Sequence, residues 1–167
     1  MTYSLKFIAT AVFLVCLLGI IIFLGTESEE RKINKRLDKL IALNEKSGQE
    51  NKLNAVSKAR RISKLFTENC QIDLPYGRGT VAGRDLLTGS VIQLRAQSDT
   101  ISLSLRERSV TLAASEISAN MKITVKVSGD FINEEYSDLV GIYLEWDKID
   151  NDWFIDRVSL PGSNYSQ

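Results

Sequence analysis

Histidine is absent from the 167-residue chain, and cysteine and proline occur only twice each. Without histidine, the chain lacks the commonest general base of enzymes and the commonest protein ligand of metal ions. The two cysteines do not form a framework, because Cys16 lies in an apolar run and Cys70 lies in the region that we expect to fold. We therefore predict no disulfide and no metal site, and we interpret Cys70 as a small buried apolar side chain.

An excess of charge is also missing, since 21 basic residues face 21 acidic residues. Proteins that bind nucleic acid usually carry a clear basic excess, so we expect no nucleic-acid partner. Residues 58–64 contain a basic cluster without interleaved aromatic residues. We interpret it as a solvated helix face, with contact to anionic lipid or a nucleic-acid backbone as the alternative. The glycines beside Tyr76 do not fit the phosphate-loop pattern G-x-x-x-x-G-K-[ST], and we predict no cofactor.

The longest apolar stretch is Phe7–Leu24, which contains eighteen residues and no charge. As a helix it would span about 27 Å, close to the thickness of the hydrocarbon core of a bilayer. A cleavable signal peptide would have a shorter apolar core and small residues before the cut, whereas Phe23 and Leu24 are bulky. We predict that residues 1–25 form a short tail and a transmembrane anchor, and that the lipid bilayer is a partner of the chain.

Two sequence signals bear on which side of the membrane the domain lies, and they disagree. The positive-inside rule counts basic residues, and Arg31, Lys32, Lys35 and Arg36 after the apolar run favour a cytoplasmic domain. These basic residues are interleaved with acids in a helical segment, however, and bacterial anchors with a tiny basic tail, here Lys6, usually keep that tail inside. We expect a single-pass protein of the bacterial inner membrane whose domain lies on the periplasmic side.

The first half of the remaining chain shows apolar residues at helical spacing, which predicts three helices, at Ser28–Leu43, Asn51–Phe66 and Gly83–Ala96. The first of them, within residues 26–48, is interpreted as a stalk or as the first helix of the domain. We place the domain itself at residues 49–160 and a polar tail at residues 161–167.

The second half of the chain alternates apolar and polar residues, as strands do. A slip in the apolar phase near Glu107 predicts a β-bulge. The pair Asp150–Asn151 predicts a hairpin turn, and Gly129–Ser137 is predicted to be a connection. The predicted strands are Cys70–Leu74, Ile101–Leu112, Ile117–Val127, Asp138–Ile149 and Trp153–Leu160. The fold class is α+β, with about three helices packed on a curved antiparallel sheet.

The junction at residues 65–85 carries a resemblance to a known superfamily. Its residues Leu65-Phe66, Asn69, Ile72-Asp73, Pro75, Gly77 and Gly83-Arg84-Asp85, with the ending Trp153-x-Ile155-x-Arg157-Val158, resemble the nuclear transport factor 2-like superfamily, also called SnoaL-like or cystatin-like. The resemblance covers about residues 33–160. It implies a cone-shaped domain that is often dimeric and often has an apolar pocket. We expect Leu74, Tyr76, Tyr143 and Trp146 to be candidates for lining such a pocket, with core packing as the alternative for the three aromatic residues.

The same resemblance also suggests that catalysis is absent. In the ketosteroid isomerases of this superfamily, a catalytic aspartate comes immediately before a Pro-x-Gly, and that position is Leu74 in this chain. Asp73, one residue away, would face the opposite side of the strand. Scytalone dehydratases rely on a His/Asp pair, which a chain without histidine does not have. We assign no catalytic residue.

Besides a purely structural homodimer, in which the polar sheet face (Arg106, Lys122, Thr124 and Lys126) is a wet surface or an interface, two functions are open. The first is a membrane-tethered binding or assembly module, which uses the cone pocket or a sheet face to bind a small apolar ligand, an envelope protein or a second copy of the chain. The second is a SnoaL-like enzyme of the isomerase, dehydratase or cyclase type, with an unrecognised carboxylate as acid or base. Carboxylates with a pKa raised by burial would favour the enzyme. The acids to inspect are Asp73, Asp99, Asp138, Glu145 and Asp147.

Overall fold

The structure is a computed structural model that describes residues 27–74, 79–131 and 134–160. The predicted anchor Phe7–Leu24, the pocket candidate Tyr76 and the polar tail 161–167 lie outside these residues. Within them, no helix is both long enough and apolar enough to cross a membrane.

The described residues contain three helices: α1 (Glu29–Asn44), α2 (Lys52–Ser63) and α3 (Arg84–Gln97). The hydroxyl of Ser28 accepts a hydrogen bond from the backbone N–H of Arg31 at 3.3 Å, and the side chain of Asn51 caps α2 in the same way. The second helix is shorter than predicted. Phe66, assigned to that helix from its apolar spacing, instead begins the first strand, and its side chain is buried there.

Six strands of the described chain form one sheet in the order β2-β1-β6-β5-β4-β3. Their bounds are β1 (Phe66–Asp73), β2 (Thr80–Ala82), β3 (Ser98–Leu112), β4 (Ser118–Phe131), β5 (Glu134–Ile149) and β6 (Asp152–Ser159). Sequential neighbours β3 to β6 pair antiparallel, as the alternating pattern predicts.

The prediction of a wholly antiparallel sheet is wrong, because β1 pairs parallel to β6 and the sheet is mixed. Periodicity tells which side chains of a strand are buried, but it does not tell which strand will lie alongside. Strand β1 joins the sheet beside the last strand of the chain, and the backbone N–H of Ile155 donates to the carbonyl of Leu65 at 3.0 Å.

The predicted connection Gly129–Ser137 is also wrong, since β4 runs on to Phe131 and β5 already begins at Glu134. Gly129 allows this extension, because a Cβ atom there would collide with the carbonyl oxygen of Thr100 on β3. The hydroxyl of Thr100 in turn donates to the Asp130 carboxylate at 2.9 Å. Polar pairs therefore continue the sheet where the apolar pattern ends.

Two local predictions in the second half are confirmed. The pairing of β3 with β4 shifts register between Leu105 and Glu107, which is the predicted bulge. Asp150 and Asn151 both have positive φ, of 50° and 67°, and link β5 to β6. Left-handed backbone at both central residues is what a tight hairpin turn requires, and Asp and Asn accept it more readily than most residues.

The two faces of the sheet differ sharply. The inner face, which packs against the helices, is apolar and carries Ala119, Met121, Ile123 and Val125 of β4, with Leu144, Trp146, Trp153 and Ile155 of the next two strands. Helix α1 belongs to this core, because Ile33 and Leu37 are fully enclosed in it. The outer face carries the alternate residues of the same strands and is open to solvent over β3, β4 and β5.

Candidate functional site

Two of the predicted pocket residues, Tyr143 and Trp146, are not brought together by the fold. Tyr143 and Trp146 lie three positions apart on β5, so they point to opposite faces of the sheet. The Trp146 side chain is 1% exposed within the core, whereas Tyr143 is 51% exposed on the outer face. Leu74 follows β1, and its backbone N–H donates to the carbonyl of Gly79 at 3.0 Å. The role of these residues in ligand binding stays a prediction.

Trp146 has one unusual feature for a core residue. Its indole Nε1 is buried and has no hydrogen-bond partner in the part of the chain that the structure describes. Buried indole N–H groups normally find an acceptor.

An open groove lies on the outer face, with a volume of about 620 Å³. Strands β3, β4 and β5 supply its lining residues, which are Arg106, Glu107, Thr124, Lys126, Ser137, Asp138 and Leu139. Leu139 is 61% exposed, although it is a large apolar side chain. We call this region, together with neighbouring Lys122 and Tyr143, the outer-face groove.

The cations of the outer-face groove are available for a partner. Arg106, Lys122 and Lys126 are exposed, and none of them forms an ion pair with any residue in the described ranges. Lys122 lies over the Tyr143 ring, with 5.5 Å between its Nζ and the ring centroid. The groove therefore combines apolar side chains with three cations that have no ion-pair partner among the described residues, beside two acids, Glu107 and Asp138.

A second cavity, of about 460 Å³, opens where β1, β5, β6 and the start of α3 meet. We call it the β1–β6 cavity, and its lining residues are Thr67, Glu68, Asn69, Arg84, Asp147, Ile149, Phe154 and Asp156. The Thr67 hydroxyl donates to the Asp156 carboxylate at 2.8 Å.

Asp147 in this cavity is the one inspected acid whose titration is shifted upward. Burial, and then the nearby charge of Asp156, raise the pKa of Asp147 above its usual range. This direction is the one that we expected for a carboxylate acting as an acid or base.

The other inspected acids have structural contacts or are exposed, although Asp73 Oδ2 is buried without a hydrogen-bond partner among the described residues. Asp73 accepts a hydrogen bond from Thr80 at 3.0 Å and forms an ion pair with Arg157 at 3.4 Å. Asp138 accepts from the backbone N–H of Leu139 at 2.7 Å. Asp99 and Glu145 are exposed.

Asp156, Thr67 and Arg84 were not predicted as site residues. Asp156 lies in the ending Trp153-x-Ile155-x-Arg157-Val158, where it occupies a variable position, and Arg84 was noted only as part of the fold pattern. Their proximity depends on the pairing of β1 with β6, which no sequence signal indicated. The only signal in the sequence for this site was that Asp156 is an acid at a polar position of β6.

Comparison with known proteins places the fold. An NTF2-like protein with a cystatin-like fold from Novosphingobium aromaticivorans superposes with a TM-score of 0.60 at 16% identity, covering 90% of this chain and 90% of that one. A scytalone dehydratase-like protein from the same organism gives 0.65 at 15% identity, covering 83% and 89%. Aln2 from a Streptomyces species gives 0.60 at 5% identity, covering 77% and 86%.

No family model and no curated protein matches the sequence. The structural neighbours nevertheless agree with one another, and the chain has the nuclear transport factor 2-like, or cystatin-like, α+β fold. At these identities the likeness establishes the fold, and function has to be argued from the site.

Proposed function

We propose that the protein is a non-catalytic binding and assembly module that takes a protein partner on its outer-face groove. In this proposal Phe7–Leu24 tethers the module to a bacterial inner membrane, with the domain on the periplasmic side. The observation that carries it is the composition of the groove, where exposed Leu139 and Tyr143 lie among three cations that have no ion-pair partner in the described ranges.

The groove favours a partner of particular chemistry. A partner would place an apolar side chain against Leu139 and Tyr143 and acidic side chains against Arg106 and Lys126. Large apolar or aromatic anchors surrounded by charged groups are the usual arrangement of protein interfaces, and the charges contribute mainly to specificity and to the rate of association. The inner face supports this choice over a pocket in the cone, because Trp146 and its neighbours pack there as core.

Cross-linking in membranes of cells that express the full chain would test this proposal. A photoreactive phenylalanine analogue at position 139 or 143 should form a covalent adduct with the partner. The same analogue at position 86 is the control, because Leu86 is 63% exposed but lies on α3, away from the groove. An adduct with the mass of two chains would identify the partner as a second copy.

Charge reversal separates a specific contact from a chance encounter. Arg106→Glu combined with Lys126→Glu should abolish the adducts at 139 and 143, because an acidic partner would be repelled. Arg60→Glu combined with Arg61→Glu reverses the same number of charges on α2 and should leave the adducts unchanged. Adducts of equal yield from position 86, or adducts that survive the Arg106/Lys126 reversal, would contradict the proposed site.

The tether and its orientation need a separate measurement. We expect a reporter that is active only outside the cytoplasm to be active when it is fused after Gln167, and we expect the chain to stay in the membrane fraction after alkaline extraction. A fluorescent reporter that works only in the cytoplasm should stay dark. Fluorescence of that second fusion would place the domain in the cytoplasm, as the count of basic residues favours.

One observation favours a second function, a SnoaL-like enzyme of the isomerase, dehydratase or cyclase type. The pKa of Asp147 is raised by burial and by Asp156, which is the direction expected of a carboxylate that acts as an acid or base. Asp147 would then be the acid or base, with burial and then the neighbouring charge of Asp156 raising its pKa. Turnover of a substrate that is lost in Asp147→Asn would establish this function over the first.

A further inference from the structure

The β1–β6 cavity exists because strand pairing is irregular at two adjacent places. The pairing of β1 with β6 shifts register between Phe66 and Gln71. The pairing of β5 with β6 shifts between Glu145 and Trp146, which leaves Asp156 without a partner opposite it on β5. Bulges of this kind re-aim side chains and are frequent beside functional sites. Here they bring Asp156 to Thr67 and to Asp147.

The charges that line the cavity are incompletely matched. Asp147 and Asp156 repel each other, and the salt bridges of the described residues include neither of them. A cation between them would relieve this repulsion. Acids alone, including Glu68 in the same lining, do not define a ligand, so the remaining lining residues decide which cation fits.

Arg84 is the one cation among the described residues that line the cavity. Arg84 donates through one terminal nitrogen to the carbonyl of Phe66. Its Nε is buried and has no hydrogen-bond partner in the ranges that the structure covers, although the side chain lines the cavity. The guanidinium carries five N–H donors and lines the cavity, and a carboxylate is the acceptor that suits it best.

We propose that the β1–β6 cavity binds a small zwitterion of the amino-acid type, with its ammonium group at Asp147 and Asp156 and its carboxylate at Arg84. Asn69 and Thr67 also line the cavity, and Ile149 and Phe154 provide apolar wall for a short carbon chain. The volume of about 460 Å³ lies within the range of small-molecule sites. This site shares no residue with the outer-face groove, so either proposal can fail alone.

Three probes of nearly equal size test the two charged ends separately. γ-Aminobutyrate carries both charges, butylamine carries only the cation, and butyrate carries only the anion. We expect isothermal titration of the full-length protein in detergent to show γ-aminobutyrate, or its shorter relatives glycine and β-alanine, binding at least ten-fold more tightly than butylamine and butyrate. Absence of saturable binding by all three amino acids would overturn the proposal, as would equal binding of butylamine.

Matched variants assign the two ends. Asp156→Asn keeps an oxygen that can accept from Thr67, and Arg84→Met removes the guanidinium, and each should weaken binding of the zwitterion at least ten-fold. Arg84→Lys keeps the charge and serves as a second variant should Arg84→Met fail to fold. Glu145→Gln is the control, because it changes the same charge on β5 at an exposed position outside the cavity. An equal loss of affinity in Glu145→Gln would overturn the assignment.

A pH series adds a readout that a purely structural role would not produce. Asp147 faces Asp156 from β6, and Arg84 from α3 and Glu68 from β1 line the same cavity. Protonation of Asp147 should release the ammonium group, so the affinity should fall as the pH is lowered through the raised pKa of Asp147. Bound ligand should in turn lower that pKa, as followed by the carboxyl carbon resonance of Asp147. An unchanged resonance in the presence of saturating ligand would contradict the placement.

Discussion

Glu50 and Asp147 are both partly enclosed carboxylates, but cations surround the first and a second acid adjoins the other. Arg95 donates to both oxygens of Glu50, from Nε at 2.8 Å and from Nη2 at 3.1 Å, and Lys58 adds an ion pair at 2.9 Å. These contacts lower the pKa of Glu50 to about 2, with the bond from Arg95 as the largest cause. Asp147 has no comparable cation within the described ranges, and its pKa is raised.

The surroundings of Glu50 form a structural brace, which we call the Arg95 cluster. The Arg95 side chain is 1% exposed. Its Nη1 donates to the carbonyls of Leu43 and Asn44 at the end of α1, and its Nη2 also donates to the carbonyl of Glu45. One side chain thus satisfies carbonyls that a helix end leaves without partners and holds α1, α3 and the segment before α2 together.

The difference between the two carboxylates distinguishes a structural role, for Glu50, from the functional role that we propose for Asp147. A buried charge that is fully paired helps to hold the elements of the fold in one arrangement. A buried charge without a partner destabilises the folded state. Proteins retain such unfavourable groups mainly where a site needs them, because stability and function are selected together. Stability measurements on matched variants can therefore test whether the charges of Glu50 and Asp147 change the free energy of unfolding in opposite directions.

The largest effect should come from Arg95→Met. This change leaves Glu50 largely buried without its main cation and leaves three carbonyls without their donor. Removing one member of a buried ion pair typically costs about 3–5 kcal/mol, and we expect a loss of that order in the free energy of unfolding measured by urea denaturation.

Arg61→Met is the matched control for Arg95→Met. Arg61 is exposed on α2 and forms no ion pair among the described residues, so its replacement should change stability by about 0.5 kcal/mol or less. Equal losses in the two variants would mean that the Arg95 cluster does not brace the fold.

The next effect depends on pH and concerns Glu50→Gln. Because the pKa of Glu50 is about 2 in the folded chain and 4.5 in the reference state, its charge stabilises the fold above pH 4.5 and loses that effect as the pH falls towards 2. We expect the variant to be less stable by on the order of 2 kcal/mol at pH 7, with the difference from the parent shrinking between pH 4.5 and 2.

Urea unfolding at several pH values between 7 and 3 measures this difference, with Glu45→Gln as the control. Glu45 is exposed on the same side of the domain, so its replacement should give a small difference at every pH. A difference for Glu50→Gln that is as large at pH 3 as at pH 7 would show that charge pairing is not its cause.

A smaller effect should appear at the other end of α1, where Glu29 is also paired. The indole Nε1 of Trp153 donates to Glu29 at 2.6 Å, and Lys32 and Lys148 form ion pairs with it. These contacts lower the pKa of Glu29 to about 2, with the bond from Lys32 as the largest cause and Trp153 next. Trp153→Phe keeps an aromatic ring but removes this donor.

We expect Trp153→Phe to lower the free energy of unfolding by about 1.5 kcal/mol and to raise the pKa of Glu29, as seen in its carboxyl carbon resonance. Trp153→Phe in a Glu29→Gln background is the control, because the charged acceptor is then already gone. A loss of similar size in that background would assign the effect to packing of the ring.

Much of the sheet was predictable from the sequence, because one strand face must be apolar wherever it covers a core. The alternation along residues 117–127 correctly predicts Ala119, Met121, Ile123 and Val125 as the buried face, whereas Ile117 at its start is 62% exposed. The bulge beside Leu105 and the turn at Asp150–Asn151 are likewise local features. A slip in the apolar phase predicts the bulge, and two residues that tolerate positive φ predict the turn.

The two carboxylate environments were not predictable, because each depends on contacts between distant parts of the chain. Arg95 and Glu50 are 45 positions apart, and nothing near Arg95 marks it as buried. Thr67 and Asp156 are 89 positions apart and meet only through the parallel pairing of β1 with β6. Periodicity identifies the faces of elements, whereas the site arises from which elements become neighbours.

The smallest effect should have the opposite sign, in Asp147→Asn. An acid whose pKa is raised by folding destabilises the folded chain once the pH exceeds its unfolded value of 3.8, because the folded chain then holds a proton that the unfolded chain releases. The amide is neutral, so the variant should be more stable than the parent at pH 7, by about 0.5–1 kcal/mol. The gain should vanish below pH 3.8. Glu145→Gln, exposed on the same strand, should show no such gain, and a loss of stability in Asp147→Asn at pH 7 would mean that Asp147 is a paired structural acid like Glu50.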